Sequence, residues 1–252
     1  MDGAGLNLTE SQIYRYSRQV ILPEVGGKGQ RRLLEGGAFV AGLGAVGSAA
    51  ALYLVAAGVG RVGIADGAGV SLPDLQSAIL HSTENLGQAR TESGRDKLAK
   101  LNPDVEVQVF AGSLAGERAK EALRQYEVLL DATEDVAAHY ALNEIGVAIS
   151  VPTVIADVDG ARGRIQTVIP GHGPCYRCLN PEPPRASGQA LLGAAGGAVG
   201  SLLATEAIKL LLGKGRSLSD RVLELDLLKM KFRLLPTCRD AACPVCGGAR
   251  GG

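Results

Sequence analysis

Apolar residues gather along the chain in short runs divided by longer stretches of helical period. The runs "AFVAG", "RVGIAD", "VEVQVF", "EVLLDAT" and "VPTVIA" are of strand length and enriched in Val, Ile and Leu. Between them, residues 48–57, 91–101, 117–125 and 136–149 place apolar positions at helical spacing. This alternation predicts an α/β fold, Rossmann-like and doubly wound, with a mainly parallel sheet. After Asp157 the rhythm changes to "RGRIQTVIP", a Pro-rich "NPEPPRASG", an apolar helix, and "RVLELDLLKMKFRLL". The last segment reads as two strands that extend the sheet or form a hairpin beside it. Upstream, "LTESQIYRYSRQVILP" opens with a capping-box pattern, Thr9 with Gln12. It predicts a short helix that carries Arg15 and Arg18 and ends before Pro23.

Charge narrows the partners. Lys and Arg together equal Asp and Glu at 26 each, so no global field recruits nucleic acid or an anionic membrane. The apolar run at residues 190–205 falls short of the ~18 residues a spanning helix needs. It is expected as a buried helix whose Gly193/Gly197 and Gly196/Gly200 spacings permit close packing. The first residues lack a basic segment followed by an apolar core, so a cytoplasmic protein with reduced thiols is expected. The tail "GGARGG" is expected to be disordered; its Arg-Gly-Gly ending resembles that of ubiquitin, though a flexible tail is the simpler reading.

Between the first predicted strand and helix lie Gly42, Gly44, Ala45 and Gly47, and Asp66 stands 19 residues after Gly47 at the end of the second strand. Glycines let the turn approach a phosphate closely, the helix N-terminus attracts its charge, and a carboxylate on the next strand accepts ribose hydroxyls. The fingerprint leaves NAD, FAD and ATP open. With no repeat, heptad run or linker, one domain is expected over residues 1–252. Its parts are an N-terminal helical segment (1–35), a nucleotide-binding half (36–157) and a zinc-bearing C-terminal half (158–248).

Zinc enters through Cys175-x-x-Cys178 and Cys243-x-x-Cys246, two pairs each able to offer two thiolates to one tetrahedral ion. Four thiolates close the coordination shell, so the metal is expected to be structural, stapling the C-terminal extension to the sheet. Cys238 is left over and reads as a bystander. His81, His139 and His172 form no sequence-level triad and are expected in surface or packing roles.

Taken in order, "YRYSRQVILP", "GLGAVGS", "AAGVGRV", "VSLPDLQSAILHS", "LGQAR", "LNP", "LLDATED", "PCYRC", "TEAIKLL" and "CPVCG" resemble the ThiF/MoeB/HesA family, the bacterial relatives of ubiquitin-activating enzymes. The resemblance runs from about Tyr14 to Gly247. It implies an ATP- and Mg2+-dependent homodimer that adenylates the C-terminal glycine carboxylate of a small ubiquitin-like protein, often a sulfur carrier. By the same resemblance Asp66 binds ribose, and Arg18 reaches phosphates across the dimer interface. Arg90 stands where relatives have a phosphate-binding lysine, and Glu134 where an aspartate lies near magnesium.

Departures from the family pattern cluster at the phosphates. Asp74 replaces an asparagine, Ser77 an arginine and Asp135 an asparagine, leaving the pocket three charges more negative than the pattern. The segment "LNPEPPRASGQALL" lacks the cysteine that many relatives carry there. Two further readings therefore stand beside adenylation: a weak or silent relative acting as a binding subunit and, more distantly, a nicotinamide or flavin oxidoreductase.

Overall fold

The structure, a computed structural model, describes residues 8–183 and 190–248. Thr9 opens α1 (Glu10–Arg15): its hydroxyl accepts from the Gln12 backbone at 3.2 Å, while the Gln12 side chain accepts the Thr9 N–H at 3.1 Å. The one helix expected up to Pro23 is broken at Tyr16 and resumes as α2 (Ser17–Val20). Tyr16 causes the break because it is an anchor, 3% exposed, its hydroxyl accepting from Asn102 at 2.8 Å and its ring lying where a side chain on Gly58 would sit. A further helix, α3 (Gly26–Glu35), leads into the sheet.

Eight strands form one sheet in the order β3-β2-β1-β4-β5-β6-β7-β8. Strands β1 (Gly37–Ala41), β2 (Arg61–Ala65), β3 (Glu106–Val109), β4 (Val128–Asp131) and β5 (Thr153–Asp159) run parallel. Strands β6 (Arg162–Val168), β7 (Arg221–Asp226) and β8 (Lys231–Pro236) continue it antiparallel, so the late strands extend the sheet. Every residue of β1 and β4 is buried, as strands covered on both faces require. The covering helices are α4 (Ala45–Ala56), α5 (Arg90–Leu101), α6 (Gly116–Leu123), α7 (Val136–Ile149), the short α8 (Tyr176–Leu179) and α9 (Gly193–Leu212).

The largest differences from the expected helix boundaries are in α4 and α9. Helix α4 begins at Ala45, three residues early, because Gly47 is helical: a Cβ there would strike the Gly42 carbonyl, and without one the first turn closes onto the glycine loop. Helix α9 runs on to Leu212, twenty residues in all, and is long and apolar enough to cross a membrane, contrary to the shorter span expected. Its burial is as expected. It packs against α4, β5 and β6, and a Cβ on Gly196 would stand 2.5 Å from that of Ala45.

Candidate active site

At β1 the sheet order reverses, with β2 on one side and β4 on the other, so a crevice opens beyond the carboxyl ends of β1 and β4. Gly42 turns the chain there with φ +87°, and a Cβ would lie 2.6 Å from the Ala132 carbonyl oxygen. Only glycine meets both demands. The turn delivers the N-terminus of α4 to the crevice, where the first-turn N–H groups have no partner within the helix.

A cleft of about 550 Å³ lies over this turn and gathers Gly42, Gly44, Asp66, Arg90, Glu134 and Asp135. An adjoining cleft of about 680 Å³ shares Ala132, Thr133 and Glu134 with it and is lined by Ala45, Asp74 and Ser77. Gly47 lies beneath the glycine turn. Arg18, exposed on α2, lines neither cleft.

Hydrogen bonds pre-set the carboxylates. Asp66 Oδ2 accepts the Leu43 N–H at 2.7 Å and Oδ1 the Ala68 N–H at 2.8 Å. Arg90 spans two carboxylates, with Nη1 3.3 Å from Asp66 Oδ2 and Nη2 2.9 Å from Asp74 Oδ2. Asp74 Oδ2 also accepts from the Ser71 N–H at 3.0 Å and its hydroxyl at 2.7 Å, capping the turn Leu72–Gln76. Burial alone would raise the Asp74 pKa and lower that of Arg90. The ion pair overturns both, holding the Asp74 carboxyl below its usual range and the guanidinium above its own. Arg90 Nε is buried without a partner. Ser77 is 7% exposed and donates its hydroxyl to the Asp74 carbonyl at 3.2 Å. Asp135 caps α7, accepting the Ala137 N–H at 2.9 Å, whereas Glu134 extends its Oε1 over Gly44.

Two histidines lie in this region, and one corrects the sequence reading. His81 is buried behind the glycine turn, Nε2 donating to the Leu43 carbonyl at 3.1 Å and Nδ1 accepting from Ser93 at 2.9 Å. Burial lowers its pKa, and the Leu43 hydrogen bond opposes without prevailing. His139 was expected in a surface or packing role, yet it is 2% exposed and doubly ion-paired, Nδ1 2.7 Å from Asp131 Oδ2 and Nε2 2.9 Å from Asp157 Oδ1. Burial would lower its pKa, but the two carboxylates overturn that and push it up to about 10. The missed signal was Asp131, a carboxylate at the end of the buried apolar run "VLLD", which needs a cation close by.

The remaining cluster lies beside α7, packed with Tyr140 and Tyr176. Cys175, Cys178, Cys243 and Cys246 bring their sulfurs within 4.8 Å of one another, with individual separations of 3.9, 3.6 and 3.3 Å. A tetrahedral zinc ion with thiolates at ~2.3 Å sets neighbouring sulfurs roughly 3.8 Å apart, so the donor set and its spacing fit that metal. Cys238 is exposed and outside the cluster. Gly247, read as part of the disordered tail, donates its N–H to the Cys243 carbonyl at 2.8 Å; residues 249–252 lie outside the described residues. Within the cysteine-free segment, so do residues 184–189.

A glycine turn at the switch point, an open helix N-terminus and an acid on the next strand define a Rossmann-type nucleotide-binding fold, here joined to a four-cysteine cluster. Residues 16–245 match the ThiF family, and the chain belongs to that family. It is 37% identical over 250 residues to the sulfur carrier protein adenylyltransferase of Thermus thermophilus, covering 95% of this chain and 92% of that one. To the SAMP-activating enzyme E1 of Haloferax volcanii it is 36% identical over 248 residues, covering 96% and 92%. Against the adenylyltransferase and sulfurtransferase MOCS3 of Culex quinquefasciatus it is 37% identical, but spans only 56% of that longer protein. The crystal structure of E. coli MccB with ATP shares the fold with a TM-score of 0.79, covering 98% of this chain and 77% of that one at 19% identity. The chain is an enzyme of the adenylyltransferase type.

Proposed function

We propose that the protein uses ATP and Mg2+ to adenylate the C-terminal carboxylate of a small ubiquitin-like sulfur carrier ending in Gly-Gly. The observation that carries this reading is the pair of adjoining clefts meeting at Glu134, one over the glycine turn and one lined by Asp74, Ser77 and Asp157. The names of the Thermus and Haloferax relatives support the class of partner.

In the reaction a carboxylate oxygen attacks the α-phosphorus of ATP, an acyl-phosphate bond forms, and the bond to the β-phosphate breaks as pyrophosphate leaves. No protein nucleophile is consumed; the protein aligns two anions and offsets the charge that develops. The N-terminus of α4 and Gly44 receive phosphate, Asp66 accepts the ribose hydroxyls with its remaining lone pairs, and Arg90, which lines the same cleft, adds positive charge. Magnesium, when bound, would neutralise phosphate charge; Glu134, where the two clefts meet, would hold it, with Asp135 beside it keeping one oxygen in the cap of α7. Arg18 serves the site of a second copy in a homodimer. The zinc is structural, and the protein works in the cytoplasm, where thiols stay reduced.

Exchange of labelled pyrophosphate into ATP, dependent on such a carrier, tests the proposal, and absence of exchange with every Gly-Gly carrier tried would sink it. The clamp on Arg90 favours a second reading, a weak relative that lends Arg18 to an active paralogue. Full activity of the isolated homodimer would exclude it. Membership of the family sets the oxidoreductase reading aside.

A further inference from the structure

Strand β4 ends at Asp131, and from there residues 132–135 cross beneath the glycine turn, tied to β1 at their start by the Ala132 N–H donating to the Ala41 carbonyl at 2.9 Å. The Asp131 side chain orders them, its Oδ1 accepting the Thr133 N–H at 3.1 Å and the Thr133 hydroxyl at 2.8 Å. That placement matters to the nucleotide side, since the Ala132 carbonyl and Thr133 Cα are the atoms packed against Gly42. Asp131 is wholly buried and requires a cation, which His139 supplies to Oδ2.

His139 has a second N–H, and it leads elsewhere. It ends on Asp157 Oδ1, whose side chain is 42% exposed on the wall of the second cleft. Oδ2 of Asp157 remains to accept a backbone N–H from an incoming extended peptide. Strands β4 and β5 are already joined by backbone pairing through Asp131 and Ile155, so a brace alone would not need a partly exposed end on the cleft. Other charged groups around the bridge are Arg164, opposite Asp157 on β6, and Glu134 and Asp159 on the cleft wall; the Tyr176 ring on α8 covers the histidine at 5.5 Å.

We propose that His139 is a positioning residue: one buried cation sets both the nucleotide-side loop 132–135 and Asp157 in the acyl cleft, fixing the carrier tail relative to the phosphates. The proposal rests on the adenylation reading for its kinetics and on geometry alone for its coupling. Two variants separate the halves. Asp157→Asn keeps the Asp131–His139 pair and should raise the KM for a Thermus thermophilus ubiquitin-like sulfur carrier about tenfold, with the KM for ATP unchanged. His139→Gln should raise both KM values and speed amide hydrogen exchange about tenfold in residues 131–135 and 155–159 together. A His139→Gln protein that loses thermal stability while both KM values and both exchange rates hold would reduce His139 to a packing residue. If the wild type shows no pyrophosphate exchange, the adenylation reading fails. Hydrogen exchange then still decides the coupling, because loosening confined to one of the two segments overturns it.

Discussion

Arg90 answers the substitution at Asp74. The more negative pocket expected from the sequence is partly neutralised in place, because the Asp74 carboxylate sits 2.9 Å from the guanidinium. Asp74→Asn removes the charge but keeps an oxygen for the Ser71 N–H, so the turn should survive. At an effective dielectric near 20, unit charges a few ångströms apart interact by roughly 4 kcal/mol, most of it offset by solvation. ATP should therefore bind Asp74→Asn about tenfold tighter by titration calorimetry with magnesium; an unchanged Kd would mean Asp66 alone governs the guanidinium. His139 gives a pH prediction. Its folded pKa, about 10, lies above the ordinary histidine value, so its stabilisation is complete below about 6.5 and is lost as pH rises toward 10. The loss should amount to a few kcal/mol, measured as the difference in urea stability between wild type and His139→Gln across that window. Gly42 and Asp66 were legible because their partners are near in sequence or set by a known turn. The His139 bridge was not, since its acceptors lie 8 residues before and 18 after it, and only the strand order brings them together.

Among the elements, the α4–α9 contact joins stability to the site. The sequence offered two glycine stripes on α9 with no means of choosing between them. Gly196 and Gly200 abut Ala45, Val46 and Ala49 of α4, Gly193 abuts Gln76, and Gly197 faces open space. Ala45 and Val46 form the first turn of α4 and line the second cleft, so overpacking here should be felt at the nucleotide. Gly196→Ala should cost about 1–3 kcal/mol in urea unfolding and weaken ATP binding. Gly197→Ala, relieved of backbone entropy without a clash, should be neutral or stabilising by up to about 1 kcal/mol. Equal effects from the two variants would show that helix propensity, not the α4 contact, decides. The strand series was readable for a related reason: buried parallel strands leave continuous apolar runs, whereas the start of α4 depended on Gly47, whose role is its contact with the Gly42 carbonyl.

Across the whole molecule, the cysteine cluster ties the end of the chain to the active half. Its paired cysteines lie 68 residues apart and follow different strands, β6 and β8, so an ion shared by all four would close a long loop. On the chain-entropy argument such a closure is worth roughly 4 kcal/mol, before any contribution from the metal bonds themselves. The staple also holds α8, and Tyr176 between the first two cysteines packs on both His139 and Tyr140, the latter ring pair at 5.1 Å. Metal loss should therefore reach beyond the C-terminus and loosen the cover over the His139 bridge. Elemental analysis of freshly purified protein should give one zinc per chain. Cys175→Ser, or a strong chelator applied to the wild type, should remove that zinc and lower Tm, with faster hydrogen exchange around residues 136–140 as well as 240–247. Zinc-free wild-type protein with an unaltered Tm would show that the four thiols are held by packing alone. If instead the chelated protein loses Tm but keeps slow exchange at 136–140, the metal staples only the tail, and the link through Tyr176 to the active half is broken.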